Sequence, residues 1–339
     1  MGVCPLCEPS NQRLVTDLTE QQTDQPLRSE EMPQPKRVEV DVQGRTLSLS
    51  NLDKVLYPAA GFTKGHVIDY YTRIAPFVLP HLRGRALTLK RYPNGVDAQY
   101  FYEKNAPSHR PDWVRTATIP IRTDGRTIDF VLAEDLPTLV WLANLADLEL
   151  HTSLARAEDP RAPTILAFDL DPGPPATIVE CAQVALRLRE AFEHLGLEGF
   201  PKTSGSKGMQ VYVPLNVPTS YAQTKGFSQA IAQLLERRHP ELVVSEMRKD
   251  RRSGKVFVDW SQNDEHKTTV AAYSLRARER PTVSTPLLWD EVEAVAASGD
   301  PDELVFTSAD VLERVAEHGD LFAPVAELEQ ELPVASSAS

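Results

Sequence analysis

The feature that most constrains the fold of this chain is a short apolar run ending in two carboxylates, TILAFDLD at residues 164–171. A run of this length, between polar and proline-containing segments, is typical of a strand buried in a sheet. Side chains alternate along a strand, so Asp169 and Asp171 share one face, about 6.5 to 7 Å apart. Two like charges at that distance raise each other's pKa unless a cation lies between them. The run therefore predicts a site for Mg²⁺ or Mn²⁺, which prefer carboxylate oxygens.

A second apolar run, KVFVDW, also carries an acidic residue, Asp259. A strand buried on both faces rarely carries a lone acid without a partner or a metal. With Asp169 and Asp171 it predicts a site for one or two divalent ions, the arrangement used in phosphoryl transfer. Two ordinary alternatives stay open: solvated aspartates at the end of the first strand, and a salt bridge from Asp259 to Arg252 or Lys255.

The segment TSGSKG, residues 203–208, is predicted to lie between two strands. Its glycines, serines and lysine are the composition of a loop that binds phosphate through backbone N–H groups. Its spacing is not that of a Walker loop, so a plain polar turn is an equal alternative. Arg252, Lys255 and Arg276 lie close to Asp259 in sequence and suit a polyanion held beside the acids.

Composition divides the chain into a folded region and two tails. Residues 1–37 are rich in Gln, Glu, Pro and Asp and are predicted to form a disordered tail. Residues 38–322 are predicted to fold, with an N-terminal part at 38–155 and a catalytic part at 156–322, followed by a flexible tail at 323–339. Helices and strands without strict alternation predict an α+β fold with helices on the faces of a sheet.

Local patterns predict several elements of that fold. VEVDV and RTLSLS alternate around the dipeptide Gln-Gly, which predicts a β-hairpin. Thr63 is predicted to cap a helix whose start is bracketed by Lys54 and Lys64. The mostly apolar segment at 136–150 is predicted to be a core helix.

Bulk properties exclude some classes of protein. No stretch approaches the roughly 18 apolar residues of a membrane helix, and no signal-peptide region is seen, so we expect a cytoplasmic protein. The net charge of −12 argues against indiscriminate nucleic-acid binding. Three cysteines cannot form a closed disulfide framework, and Cys4 and Cys7 lack a second pair that would complete a zinc site.

Seven motifs, taken in order, resemble the polymerase domain of bacterial ligase D, the non-homologous end-joining enzyme, which is a branch of the archaeo-eukaryotic primase superfamily. They are NLDKVLYP, RYPNGV, FYEK, FDLDPG, TSGSKG, KVFVDWSQN and AAYSLRAR, between about residues 45 and 320. The resemblance implies a primase-type α+β core with an RRM-like antiparallel sheet, flanking helices and an N-terminal subdomain. Because the ligase motif K-x-D-G does not occur in the sequence, it also implies a free-standing member, similar to actinobacterial primase-polymerases that work beside a separate ligase.

The resemblance also implies residue roles. Asp169, Asp171 and Asp259 match the metal-binding and catalytic residues. Lys54 and Lys64 match lysines that grip the 5′-phosphate of a gap, with help from free N–H groups of the helix that follows Thr63. The residues that match nucleotide-binding positions, including an aromatic pair that contacts the templating base, are Ser204, Lys207, Gln210, Arg252, Arg276, Phe101 and Tyr102.

The chain departs from the family pattern at two of these positions. Gln210 stands where the family has a histidine that contacts the triphosphate. Glutamine donates a hydrogen bond but carries no charge, which puts nucleotide affinity in question. Tyr102 stands where phenylalanine is usual and adds a hydroxyl to an aromatic ring of the same size.

The function implied is that of a DNA-dependent nucleotidyltransferase, a primase-polymerase with a two-metal mechanism. We expect two Mn²⁺ or Mg²⁺ ions, NTP or dNTP substrates with ribonucleotides used at least as readily, and gapped or end-proximal DNA with a 5′-phosphate. We also expect a nucleoid-associated monomer that works with a separate ATP-dependent ligase and an end-binding protein. Two other classes stay open: a haloacid dehalogenase-like phosphatase with Asp169 as nucleophile, and a catalytically decayed DNA-end-binding module.

Overall fold

The computed structural model describes residues 36–120 and 125–333. The predicted disordered tail at 1–37, with Cys4 and Cys7, lies outside the described residues except for its last two positions, and Arg37 already belongs to a strand. Within the described ranges, no helix is both long and apolar enough to cross a membrane.

Strands and helices of the described residues alternate irregularly along the chain. The strands are β1 (Arg37–Val42), β2 (Arg45–Ser50), β3 (Val55–Tyr57), β4 (Phe62–Thr63), β5 (Leu87–Arg91), β6 (Phe101–Glu103), β7 (Thr116–Pro120), β8 (Thr127–Val131), β9 (Asp147–Thr152), β10 (Ile165–Pro172), β11 (Phe200–Thr203), β12 (Met209–Pro214), β13 (Val243–Val244), β14 (Val256–Asp259) and β15 (Thr269–Val270). The helices are α1 (Lys64–Leu82), α2 (Leu136–Asn144), α3 (Ile178–His194), α4 (Tyr221–Arg238), α5 (Trp289–Ser298), α6 (Ser308–His318) and α7 (Ala323–Glu327).

Two sheets dominate the fold. The first has five strands in the order β11-β12-β10-β14-β13, antiparallel except for the parallel pair β13 and β14. The second has six strands in the order β15-β9-β5-β8-β7, with β6 also paired to β5. The predicted hairpin of β1 and β2 is confirmed, and its turn residues Gln43 and Gly44 have φ of 52° and 78°. Positive φ at both positions is the geometry of a type I′ turn.

The central strand β10 explains how the two halves of the fold meet. Leu166, Phe168 and Leu170 point to one face, where they pack with α3 in an apolar core. Ile165 and Ala167 point to the other face and join a separate core around α1 and α2. Because side chains alternate, the next two residues on that second face are Asp169 and Asp171. The side chains on this face of β10 therefore change from buried to partly exposed at Asp169.

The helix predicted at 136–150 is only partly correct. α2 ends at Asn144, and Asp147–Thr152 form β9, which pairs with β5 and β15. An apolar run of this kind does not distinguish a buried helix from a buried strand by periodicity alone. The pairing partners, which are distant in sequence, decide the outcome.

The prediction of a flexible tail at 323–339 is wrong for residues 323–333, which the structure describes. Ala323–Glu327 form α7, whose Val325 is buried, and Gln330 donates from its backbone and side chain to carbonyls of Leu215 and Pro214, each at 2.9 Å. The core around α1 and α2 also includes Phe322. That core therefore draws residues from both sides of the predicted division at residue 155.

Candidate active site

Four polar side chains form a row across the five-stranded sheet. Residue pairing places Lys202 of β11 beside Gln210 of β12, Gln210 beside Asp169 of β10, and Asp169 beside Asp259 of β14. Directly paired residues on neighbouring strands point to the same face. The two apolar runs singled out in the sequence therefore bring Asp169 and Asp259 together. These two residues and Asp171 are the three carboxylates that we call the acid row.

The acid row concentrates negative charge without a full set of counter-ions. Burial and then the charges of Asp171 and Asp259 raise the pKa of Asp169 to about 7. Partial burial and the charge of Asp259 also raise the pKa of Asp171, although Arg252 opposes that shift. A bound cation would reverse these shifts, so the electrostatics suit a divalent metal ion.

Hydrogen bonds from protein groups occupy two of the carboxylates. The Gln262 amide lies 3.5 Å from Asp169 Oδ2 and 3.4 Å from Asp259 Oδ2 and bridges them by donating to both. Asp259 Oδ1 accepts from the backbone and hydroxyl of Ser261, and the Lys267 ammonium lies 3.9 Å from Asp259 Oδ2. No three His, Cys, Asp or Glu side chains in residues 36–120 and 125–333 have the spacing of a metal centre. Metal binding by the acid row stays a prediction.

Asn263 fixes the turn that carries these groups. Its side-chain amide accepts from the backbone N–H of Ala167 at 3.0 Å and donates to the Ala167 carbonyl at 2.7 Å. It is fully buried and also donates to the Ser228 hydroxyl. The last residues of the KVFVDWSQN motif thus tie the turn after β14 to the centre of β10.

The loop between β11 and β12 is closed on itself rather than open for phosphate. The Gly205 amide donates to Thr203 Oγ1 at 3.3 Å, and the amides of Ser206 and Gly208 donate to Ser204 Oγ at 3.3 and 3.2 Å. These three N–H groups are therefore used within the loop. The expectation that its backbone forms a phosphate nest is wrong for these three amides, which leaves the Lys207 amide and the side chains of the loop.

Two glycines allow this loop to pack tightly. A Cβ at Gly208 would lie 2.1 Å from the Leu170 carbonyl oxygen, and one at Gly205 would lie 2.6 Å from the Val283 carbonyl carbon. Gly205 also has a φ of 66°, which favours glycine. The side chain of Lys207, between them, is exposed.

A buried carboxylate of the six-stranded sheet organises the cations around it. Glu149 Oε1 accepts from Lys90 Nζ and from the Tyr92 hydroxyl, each at 3.1 Å, and Oε2 lies 2.9 Å from His151 Nε2 and 3.3 Å from Arg276 Nε. Burial alone would raise the pKa of Glu149, but the hydrogen bond from His151 and the neighbouring cations lower it well below its usual range. Glu149 therefore stays charged and orients this network.

The two arginines predicted to bind the triphosphate are both held by protein groups. Arg276 donates to the Ser204 carbonyl and also contacts Glu149, so it ties the cation network around Glu149 to the β11–β12 loop. Arg252 donates to the Met247 carbonyl at 2.8 Å and stacks on Phe257, with its guanidinium carbon 3.6 Å from the ring centroid. Each guanidinium keeps further N–H donors, because arginine has five.

The predicted aromatic pair is divided between two faces of β6. Tyr102 lies near Lys90 and near His151, at a ring-centroid distance of 6.3 Å from the latter. Phe101 lies beside Arg91, 5.1 Å from its guanidinium carbon. Both rings are about half exposed, so they are available for stacking, but they do not present one common surface.

Lys54 and Lys64 line one cavity of about 510 Å³, together with Arg91. We call it the cationic cavity. Lys64 is buried and donates to the Ser50 carbonyl at 2.7 Å, whereas Lys54 is exposed and donates to Asn94 Oδ1 at 2.9 Å. Burial, followed by the charges of Lys54 and Arg91, lowers the pKa of Lys64 to about 8.

The expectation that free N–H groups of α1 help to bind an anion is wrong. The first three backbone amides of the helix all have partners. They donate from Lys64 to the Lys54 carbonyl, from Gly65 to the Leu52 carbonyl and from His66 to Thr63 Oγ1. The positive charge of the cavity therefore comes from side chains.

The sequence analysis missed the groups that complete the site. Glu149 lay inside the segment interpreted as a helix and His151 directly after it, although D-L-E-L-H alternates and, as a strand, would place both on one face. Lys90 lies in the basic, acid-free segment RGRALTLKR at residues 83–91, but its carboxylate partner was not foreseen. No local signal distinguished Lys267 or Lys202 from surface lysines.

The mixed fold, with its largely antiparallel five-stranded sheet, is an archaeo-eukaryotic primase-type α+β core. The family model described as the LigD primase-polymerase domain matches residues 63–322. The chain belongs to this family.

Individual relatives agree with that assignment. The chain is 43% identical over 289 residues to the multifunctional non-homologous end joining protein LigD of Mycolicibacterium smegmatis, covering 85% of this chain and 36% of that protein. It is 33% identical over 274 residues to the bifunctional non-homologous end joining protein LigD of Bacillus subtilis, covering 80% of this chain and 43% of that protein. The solved polymerase domain of Mycobacterium tuberculosis ligase D in complex with DNA superimposes with a TM-score of 0.78 at 40% identity, covering 84% of this chain and 99% of that chain. The chain thus spans less than half the length of these two LigD proteins, and the matches do not favour the phosphatase or the decayed binding module.

Proposed function

We propose that this protein is a DNA-dependent nucleotidyltransferase that extends primers and fills short gaps during bacterial DNA repair. The observation that carries the proposal is the acid row on one sheet together with Arg276, which joins the cation network of Glu149 to the β11–β12 loop of that sheet. Negative groups that need a cation, near positive groups that suit a polyphosphate, are what phosphoryl transfer requires. Family membership supports the same reaction class.

Asp169, Asp171 and Asp259 would hold the divalent ions, Mn²⁺ or Mg²⁺. When bound, such ions supply Lewis-acid stabilisation of the phosphoryl oxygens and lower the pKa of a coordinated hydroxyl. The Gln262 amide would have to turn away from the two carboxylate oxygens it now contacts. Gln210, whose amide donates to Asp169 Oδ1 at 3.0 Å, would keep that carboxylate in place.

The triphosphate would be bound by cations on both sides of the cleft. Arg276 has one guanidinium edge toward Glu149 and donates to Ser204, so its orientation is fixed before substrate arrives. The exposed Lys207 and the remaining donors of Arg252 would add positive charge. Preorganised cations of this kind favour the charge that develops on a transferred phosphoryl group.

The DNA would be recognised through its phosphate and its bases. The cationic cavity, with Lys54 and Lys64, would hold the 5′-phosphate on the far side of a gap. Tyr102 would stack near the incoming nucleotide, and Phe101 would lie toward the cavity beside Arg91. As the family resemblance implies, we further propose use of ribonucleotides, action as a monomer and joining of the product by a separate ligase.

A single-turnover extension assay tests the proposal. A gapped duplex with a 5′-phosphate is incubated with the protein and labelled NTP or dNTP, in Mn²⁺ or in Mg²⁺. We expect template-directed incorporation, faster with Mn²⁺ and at least as efficient with NTP. Absence of incorporation under all four conditions would refute the function, and release of phosphate from a generic phosphomonoester in its place would favour the phosphatase.

A further inference from the structure

A large groove adjoins the acid row but belongs to none of the sites described so far. It encloses about 850 Å³ between the β5, β7 and β8 strands on one side and residues 157–161 and 265–268 on the other. We call it the side groove. Its volume is sufficient for more than one nucleoside, since ligand pockets of about 300 to 1,000 Å³ accommodate drug-sized molecules.

The side groove meets the catalytic site at two points. Lys267 lines it and lies 3.9 Å from Asp259 Oδ2, with its ammonium donating to Ser261 Oγ at 2.5 Å. Thr88 also lines it and is paired across the sheet with His151, which contacts Glu149. Lys267 therefore lies between the groove and the third carboxylate, Asp259.

An unsatisfied hydroxyl lies at the wall of the groove. Thr88 is 3% exposed, and its Oγ1 has no hydrogen-bond partner among the described residues. A buried polar group without a partner costs free energy, so such groups are uncommon in native proteins. A ligand oxygen or nitrogen in the groove would satisfy it.

The other walls combine cations with apolar surface. Ile128 and Phe130 of β8 provide an apolar wall, while Lys104 and Arg161 bring positive charge to a groove whose lining also includes Glu158, Asp159 and Glu265. Aromatic and apolar side chains that contact bases and sugars, with cations along the backbone, are typical of single-strand binding surfaces.

The order of strands identifies which strand of DNA the groove fits. The β11–β12 loop, proposed to face the triphosphate, lies beside Lys202 and Gln210 at one end of the row Lys202, Gln210, Asp169, Asp259, and Lys267 lies beside Asp259 at the other end. The attacking hydroxyl must approach opposite the leaving pyrophosphate, because phosphoryl transfer is roughly in line. The strand that carries the hydroxyl therefore approaches from the Lys267 end.

We infer that the side groove binds the 3′-terminal nucleotides of the primer strand, with Lys267 on a backbone phosphate and Thr88 donating its hydroxyl. The inference rests on the proposed function and adds a subsite to it. The cationic cavity lies on the opposite face of β5, because Arg91 alternates with Thr88 and Lys90 along that strand. Primer and downstream 5′-phosphate therefore have separate binding surfaces.

Cross-linking locates the strand directly. A primer with 4-thiothymidine as its penultimate nucleotide is annealed to a template, bound to the full chain and irradiated, and cross-linked peptides are identified by mass spectrometry. We expect cross-links to β7, to β8 or to residues 265–268. Cross-links there from the same label placed only in the template, with the primer label reacting elsewhere, would overturn the inference.

Two substitutions test the contacts in solution. Lys267→Ala should weaken binding of a 3′-recessed duplex roughly tenfold and reduce the slope of log K against log salt by about 0.7 to 0.9, the loss of one phosphate contact. Thr88→Val, which keeps the shape, should weaken it roughly 2- to 10-fold. In both variants the KM for nucleotide should stay within about twofold of the wild-type value.

Lys225→Ala is the matched control, because Lys225 is as exposed as Lys267, at 39%, and also contacts a carboxylate, but does not line the groove. It should change neither primer affinity nor the salt slope. If Lys267→Ala shifts the Mn²⁺ dependence of incorporation but leaves primer affinity unchanged, Lys267 acts on the carboxylate of Asp259 and not on the primer. That result would overturn its proposed role in primer binding. If wild-type protein incorporates nucleotide but the primer never cross-links to the groove, only this inference fails.

Discussion

The acid row and the cationic cavity are both clusters of like charge, but of opposite sign. In the first, burial and neighbouring carboxylates raise the pKa of Asp169 to about 7. In the second, burial and neighbouring cations lower the pKa of Lys64 to about 8. Each shift favours the neutral form, so each cluster is stabilised by a ligand of the opposite charge.

Glu149 provides the contrast within the same molecule. It is as buried as these groups, yet its pKa is lowered, because Arg276, His151 and Lys90 surround it. Burial therefore does not by itself create a binding site. The two clusters are candidate sites because their counter-charges are incomplete, whereas the surroundings of Glu149 already supply them.

The largest expected effect is on catalysis. Asp259→Asn keeps the shape of the side chain but removes a charge from the acid row, and incorporation should fall about 1,000-fold or more, since a catalytic metal contributes several kcal/mol. Rapid-quench extension measures the rate, and DNA affinity should stay measurable. Asp69→Asn, which changes an exposed acid paired with Arg73, is the control. Unchanged incorporation by Asp259→Asn would contradict the assignment.

The second effect is on stability and tests the contrast with Glu149. Glu149→Gln should reduce the free energy of unfolding by roughly 3 to 5 kcal/mol, because the partly buried cations Lys90 and Arg276 lose a buried carboxylate partner. Asp259→Asn should instead leave the metal-free protein as stable or more stable, since it relieves repulsion. Denaturant unfolding measures both. Equal destabilisation by the two substitutions would remove the distinction between a balanced and an unbalanced cluster.

The third effect is a pH dependence of the free energy of unfolding of the metal-free protein. Asp169 binds its proton more tightly when folded, with a pKa of about 7 against 3.8, so its contribution to stability is present below pH 4 and is lost as pH rises to 7. The loss is at most about 1.4 kcal/mol per pH unit. Chemical denaturation of wild type and Asp169→Asn between pH 5 and 7 isolates it. If the free energy of unfolding of Asp169→Asn still changes with pH as it does in wild type, another group is the source of the pH dependence.

The smallest effect concerns the cationic cavity. Lys54→Ala should weaken binding to a 5′-phosphorylated gap roughly tenfold, by analogy with other charge-assisted hydrogen bonds, and should change binding to the unphosphorylated gap much less. Fluorescence anisotropy with the two substrates gives the ratio, and Arg73→Ala on the outer face of α1 serves as control. Equal weakening on both substrates would mean that the lysine does not recognise the phosphate.

Sequence patterns predicted the parts of this fold that depend on neighbours along the chain. The β1–β2 hairpin follows from its alternation and its Gln-Gly turn, and the start of α1 follows from the cap Thr63. The motifs also predicted the family, and the match over residues 63–322 confirms it. The roles of individual site residues stay predictions.

Tertiary structure decided the features that depend on partners distant in sequence. Residues 147–152 are a strand only because β5 and β15 flank them, and this pairing places Glu149 beside Lys90 and Arg276. Packing likewise holds α7 against the strand that ends at Pro214, where local composition predicted a free tail.

The sequence alone therefore determined which chemical groups are present and how they alternate, since strand periodicity places Asp169 and Asp171 on one face. Only the folded chain decided which of those groups already have counter-charges. Charge interactions fall off with distance and depend on burial, and neither quantity is fixed by position in the sequence.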